Sequence, residues 1–187
     1  MSLRVEFKMH NKTLFEEVES YMDLGVLVDN RCNQETASSL RTFRNKFLGV
    51  RIIGGQEAYV GEFPYAAAIC KSTAEGNYFC TGAVVSIEWV LTAGPCLDGA
   101  ILFTILMGTH KLSGDDASIV IRLGTEHYVL HPDYNPSTLA NDIGLIKFRG
   151  SITFTPYINR LYLPYEAMDE TTTGVAYGWG QTSDGVL

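Results

Sequence analysis

The rhythm of apolar and polar positions changes at about residue 51. Before it, Leu14, Val18, Tyr21 and Met22 fall on one face of a 3.6-residue period, and Glu16, Glu17 and Glu19 lie mostly on the other. Thr13 and Glu16 have the spacing of a capping box at the start of that run. The pattern predicts one amphipathic helix within a leader over residues 1–51. From Arg51 onward the period shortens to strand-like runs punctuated by Gly, Pro and Asn. Ala66–Ile69, Tyr78–Val85, Trp89–Leu91, Ile101–Met107, Ser118–Arg122, Glu126–Leu130 and Ile143–Phe148 all read as strands. Many short strands at such spacing predict an all-β antiparallel sandwich or barrel. No internal repeat and no low-complexity segment interrupts them.

Composition narrows the function classes. Fourteen Lys and Arg stand against 21 Asp and Glu, a formal charge of -7, and no basic run offers a footprint for phosphate backbones, which excludes nucleic acid as the expected partner. With 46% apolar and 19% charged residues over 187 positions, the chain has the makings of one packed core. Its longest apolar run, Ala100 to Gly108, is about half of what a membrane-spanning helix needs and reads as a buried strand. No membrane partner is expected. The N-terminus interleaves Arg4, Glu6, Lys8 and Lys12 with its apolar residues, so no export signal is visible. The four cysteines, Cys32, Cys70, Cys80 and Cys96, lack the paired spacings of a zinc site. His127 and His131 are four apart on a strand, where they stand about 13 Å from one another, and Asp115 with Asp116 reads as an exposed acidic turn. No metal and no other cofactor is expected. Asn11-Lys12-Thr13 fits a glycosylation triplet, a pattern common by chance.

Seven local patterns then occur in one order: R-I-I-G-G-Q-E-A at 51–58, F-P-Y at 63–65, F-C-T-G-A-V-V-S at 79–86, W-V-L-T-A at 89–93, H-P-D-Y-N at 131–135, N-D-I-G-L-I at 141–146 and G-W-G at 178–180. In that order they resemble the trypsin and chymotrypsin family of serine proteases, with a flavour of invertebrate digestive enzymes. The resemblance implies two antiparallel six-stranded β-barrels with the active site between them. It runs from about Arg51 to Leu187, and residues 52–187 are expected to cover the first barrel, about 52–160, and only the opening of the second, about 161–187. The first fifty residues take no part, and 1–51 is expected to be a propeptide-like or unrelated leader.

Family chemistry needs an alcohol nucleophile, a histidine to take its proton and a carboxylate to orient that histidine. The resemblance assigns the carboxylate to Asp142. The histidine belongs in an A-A-H-C segment that aligns with Ala93-Gly94-Pro95-Cys96, so Pro95 occupies its position. A proline has no ionisable group and no N–H, and does no acid–base work at any pH. His110 and His131 match ordinary non-catalytic positions of the family and are expected at the surface. Its G-D-S-G-G nucleophile segment does not occur in these residues, and Ser183 in Q-T-S-D-G reads as a turn serine. Arg51-Ile52 resembles the zymogen activation bond. Cys80 and Cys96 match the family disulfide around the histidine loop. Cys32 and Cys70 either pair with each other or stay free, a buried thiol being the plainer reading of Cys70.

Three functions follow as expectations. The chain is a protease homologue, inactive as written, that acts by binding or regulation on a protein or peptide ligand, with oligomeric state unread. Alternatively it is a genuine secreted serine endopeptidase of which this sequence is an incomplete or imperfect version. A third reading is a partial domain too marginal to persist folded. By family resemblance the compartment is extracellular.

Overall fold

The computed structural model describes residues 3–8, 56–110, 121–163 and 173–179. Among these residues ten strands lie in chain order: β1 Leu3–Lys8, β2 Gln56–Glu57, β3 Ala66–Ser72, β4 Asn77–Val84, β5 Trp89–Thr92, β6 Leu102–Met107, β7 Ile121–Thr125, β8 Tyr128–Leu130, β9 Gly144–Lys147 and β10 Thr173–Gly178. The helix expected near residues 13–22 lies outside the described residues, as do Asn11, Cys32, Arg51, Ile52, Asp115, Asp116 and Ser183.

Seven strands form one antiparallel sheet in the order β7-β6-β3-β4-β5-β9-β8. Its two edges, β7 and β8, are separated in the chain only by Glu126 and His127, so the sheet curls until its edges meet. Thr125 Oγ1 donates to the Lys147 carbonyl at 2.7 Å, Lys147 N–H donates to the His127 carbonyl at 2.8 Å, and the Phe103 and Tyr128 rings meet edge to face across the corner. Counting β7 and β8 as one bent strand recovers the six strands that the resemblance implies. The bend also corrects the run expected over Glu126–Leu130, which becomes a corner followed by a three-residue strand.

Strand parity builds the interior. Phe103, Ile105 and Met107 of β6 face the same core as Ala67 and Ile69 of β3, Val84 of β4, Val90 of β5 and Ile146 of β9. Each such large side chain withdrawn from water contributes about 1.5–3 kcal/mol. The opposite parity of β3 is buried as well: Ala66 and Ala68, with Phe79 and Leu106, form a second cluster with Trp179, flanked by Phe63 and Tyr177. Alanines on this outer face leave room for β10 and the tryptophan after it.

The sequence pattern does not foresee the remaining sheet, β10-β1-β2. Its middle strand is β1, from the leader, antiparallel to both neighbours.

Candidate functional site

The antiparallel register of β5 with β9 pairs Leu91 with Leu145 and Thr92 with Gly144. Continued two residues further, the same register sets Gly94 opposite Asp142, beyond the last ladder pair. There β5 turns into a single 3₁₀ turn, Gly94–Cys96, with Pro95 at its start, where a missing N–H costs nothing to the turn. The Gly94 carbonyl accepts from both Leu97 and Asp98 N–H. The Gly94 N–H donates to Asp142 Oδ1 at 2.5 Å, a buried charge-assisted bond that ties the turn to the end of the opposing loop.

That loop, residues 131–142, is hydrogen-bonded internally. Asn135 Oδ1 accepts from the Ser137 and Thr138 amides, Asn135 and Ala140 form an isolated bridge, and Asn141 Nδ2 donates to the Asp133 carbonyl. Asn141 adopts φ 56°, a left-handed conformation that asparagine tolerates better than most residues. The loop thereby delivers Asp142, 5% exposed, to the turn. Tyr134 from the same loop packs on Gly94: a Cβ at position 94 would sit 2.5 Å from Tyr134 Cε2 and 2.9 Å from Asp142 Oδ1. Only glycine permits so close an approach. Burial pushes the Tyr134 hydroxyl pKa up, and the negative charges of Asp142 and Asp98 push it the same way.

Two further ties hold the turn. Cys96 is disulfide-bonded to Cys80 of β4, with an S–S distance of 2.08 Å. From β3, the Lys71 ammonium donates to the Pro95 carbonyl at 2.8 Å and to the Asp98 carbonyl, and lies 5.6 Å from the centre of the Tyr78 ring. Lys71 is only 7% exposed, and its pKa is lowered by burial, against the opposing pull of Asp98 and Glu75. The sequence reading missed Lys71, Tyr134 and the tight packing of Gly94. Lys71 had a visible signal, since it continues the core parity of Ala67 and Ile69.

The other candidate residues have their own surroundings. The His110 imidazole faces Glu57 at 3.8 Å, and the His110 carbonyl accepts from the Trp179 indole. His131 Nδ1 accepts from the Asp133 amide, and His127 is exposed. His110 and His131 are half-buried. Cys70 is not the free thiol favoured from the sequence: it is disulfide-bonded, with its partner outside the described residues. The described residues hold no group of three or more histidine, cysteine, aspartate or glutamate side chains arranged for a metal ion.

Chemically, the arrangement presents one oriented, nearly buried carboxylate beside a backbone turn. The residue at 95 offers that carboxylate no N–H and no ionisable side chain.

Residues 52–186 match the trypsin family model. The chain belongs to the trypsin family. It is 35% identical over 136 residues to brachyurin of Leptuca pugilator, covering 73% of this chain and 58% of that protein. Chymotrypsin of Phaedon cochleariae is 32% identical over 139 residues, covering 72% of this chain and 50% of that protein. One solved structure, described as HL collagenase, superposes with a TM-score of 0.54 at 30% identity, over 62% of this chain and 48% of the other. A second, described as GrC, gives 0.56 at 32% identity, over 60% and 49%. The chain spans half to three-fifths of the length of these curated relatives. Within the trypsin-family segment lie nine of the ten strands; β1 lies outside it.

Proposed function

We propose that this chain is a trypsin-family protease homologue that binds a protein or peptide without cleaving it. One observation carries the reading: Pro95 fills the position of the general base. Asp142 is the remaining triad member in this proposal, and its tie to the Gly94 amide preserves the mount on which a histidine would sit. Losing the base from such a triad costs on the order of 10⁶-fold in turnover. Arg51-Ile52 is proposed as an activation-type cleavage bond, giving a leader over 1–51 and a protease-homology segment from 52 onward. An extracellular setting fits the Cys80–Cys96 bridge and the bonded state of Cys70, since disulfides persist in oxidising compartments. Among the described residues no helix is long and apolar enough to cross a membrane.

The test starts with the protein isolated from its own tissue. Peptide mapping is expected to read proline at position 95, and the protein is expected to hydrolyse neither ester nor amide substrates and to take up no serine-directed phosphonate. A histidine at 95, or stoichiometric phosphonate labelling, overturns the reading.

A further inference from the structure

The residues that leave the 3₁₀ turn, Leu97-Asp98-Gly99-Ala100, form a tight turn of their own, closed by the Ala100 N–H on the Leu97 carbonyl at 3.0 Å. Gly99 stands third in it with φ 69°, a conformation that favours glycine. Asp98 and Gly99 are both exposed, and nothing lies within 4 Å of where a Cβ on Gly99 would stand. The neighbouring amides are all bonded. Asp98 N–H donates to the Gly94 carbonyl at 2.9 Å, and Ile101 N–H to the Ser72 carbonyl at 2.8 Å. Among the described residues the Gly99 N–H has no acceptor.

An aspartyl carboxyl followed by an unhindered glycine amide can close on it, the nitrogen bonding the side-chain carbon to give a five-membered imide. What limits the closure is the amide, a poor nucleophile until it gives up its proton and the charge passes to the carbonyl oxygen of the same peptide unit. Here that oxygen, the Asp98 carbonyl, accepts from the Lys71 ammonium. Burial, the second bond to the Pro95 carbonyl and the Tyr78 ring fix the ammonium in place. A cation held on an oxygen where negative charge develops is the arrangement of an oxyanion hole. Lys71 leaves β3 with the core parity of Ala67 and Ile69, opposite to the side where Ala66 and Ala68 meet Trp179, so the docking of β10 plays no part in it.

We propose that Asp98-Gly99 is a self-modification site, converted through an imide to isoaspartate with the assistance of Lys71. In the first step the Gly99 nitrogen gives its proton to solvent and bonds Asp98 Cγ, and the hydroxyl of the protonated side-chain carboxyl takes a proton and leaves as water. In the second, water adds to the Asp98 main-chain carbonyl carbon and the bond from that carbon to nitrogen breaks, the hydroxyl staying on carbon and the proton going to nitrogen. The main chain then runs through Cβ and Cγ, one carbon longer, and the oxygen that Lys71 held belongs to a carboxylate. One ammonium thus polarises one oxygen as amide, imide and carboxylate, and ends in a charge-assisted pair. The pair draws Lys71 toward position 98 and away from the Pro95 carbonyl, so the modification reaches the turn that carries residue 95. It does not depend on whether the chain is catalytic.

The intact chain, its Lys71→Met variant and the acetylated peptide Leu-Asp-Gly-Ala-Ile-Leu are incubated at neutral pH, and isoaspartate at the Asp98 position is followed by peptide mapping with electron-transfer fragmentation. Removing an oxyanion-hole donor costs about 10²–10³-fold in rate, and an exposed turn retains less of that, so the unsubstituted chain is expected to form isoaspartate at least about tenfold faster than Lys71→Met. A tie that merely stiffened the turn would act the other way, because loosening it frees the backbone to reach the ring geometry. A variant rate equal to or above that of the unsubstituted chain overturns the proposal. If Lys71→Met loses amide protection throughout β3 and β4, the peptide decides instead, since it has the same dipeptide without the cation. The intact chain is expected to isomerise faster than the peptide, and a slower rate refutes the assistance.

Discussion

Replacing Lys71 by methionine removes the ammonium that donates to the Pro95 carbonyl while keeping most of the length of the side chain. A hydrogen bond from a charged donor is worth about 1.5–3 kcal/mol. Two are lost, but Asp98 is exposed and its carbonyl can take water instead, so most of the loss falls on Pro95. The contact with Tyr78 adds about 0.5–1 kcal/mol. Against these, methionine relieves the cost of burying an ammonium, the same cost that lowers the Lys71 pKa. The net expectation is a loss of about 1–2 kcal/mol at pH 7. In urea the midpoint should fall with the slope unchanged. The sign of the pH dependence is also fixed. Because the folded pKa is lowered, the unfolded chain holds more protons between that pKa and 10.5, so the wild-type chain gains stability as pH rises through this window. Its advantage over Lys71→Met should therefore grow toward pH 10.5, since a neutral amine still donates to both carbonyls. A variant as stable as wild type at pH 7, or a difference that shrinks as pH rises, refutes the reasoning.

Other perturbations separate the remaining ties. Replacing Cys80 and Cys96 with serine opens a 16-residue separation and should cost about 3 kcal/mol, read as a lower urea midpoint. Gly144→Ala puts a Cβ 2.2 Å from Leu97 Cδ1 and 2.7 Å from the Val129 carbonyl, so overpacking of about 1–3 kcal/mol is expected in thermal unfolding. Gly124→Ala, with nothing nearer than the Phe103 carbonyl at 3.9 Å, should be neutral or stabilising by about 0.5 kcal/mol in the same assay. Arg149→Ala breaks an exposed pair with Glu126 and should shift stability by no more than about 1 kcal/mol, less in added salt.

The core strands were legible in the sequence because each carries its own alternation: Ala66–Ile69 and Ile101–Met107 name the residues that pack together, with ends displaced by only one to three positions. Pro95 was legible because its neighbours match the family segment on both sides. What escaped is non-local. The alternation of Leu3, Val5 and Phe7 with Arg4, Glu6 and Lys8 was present, but those charges spoke first against an export signal, and a lone strand has no meaning without its partner. That partner, β10, stands some 170 residues away and is Gly-containing, with little strand signal of its own. Lys71 escaped for the opposite reason: a charge at a core position is read locally as an edge, and only the carbonyls that fold over it show how it is satisfied.

The curling of the sheet sets an order of events during synthesis on the ribosome. β4 and β5 emerge in succession and pair at once, whereas one side of β3 waits for β6 and one side of β5 waits for β9, roughly fifty residues later. At translation speeds of about 5–20 residues per second that is several seconds. Throughout them Trp89–Thr92 offers an unpaired side to any nascent chain nearby. Until β9 arrives, Asp142 has no turn to meet and Gly94 has no carboxylate, so the candidate site is the last part of the curled sheet to be assembled.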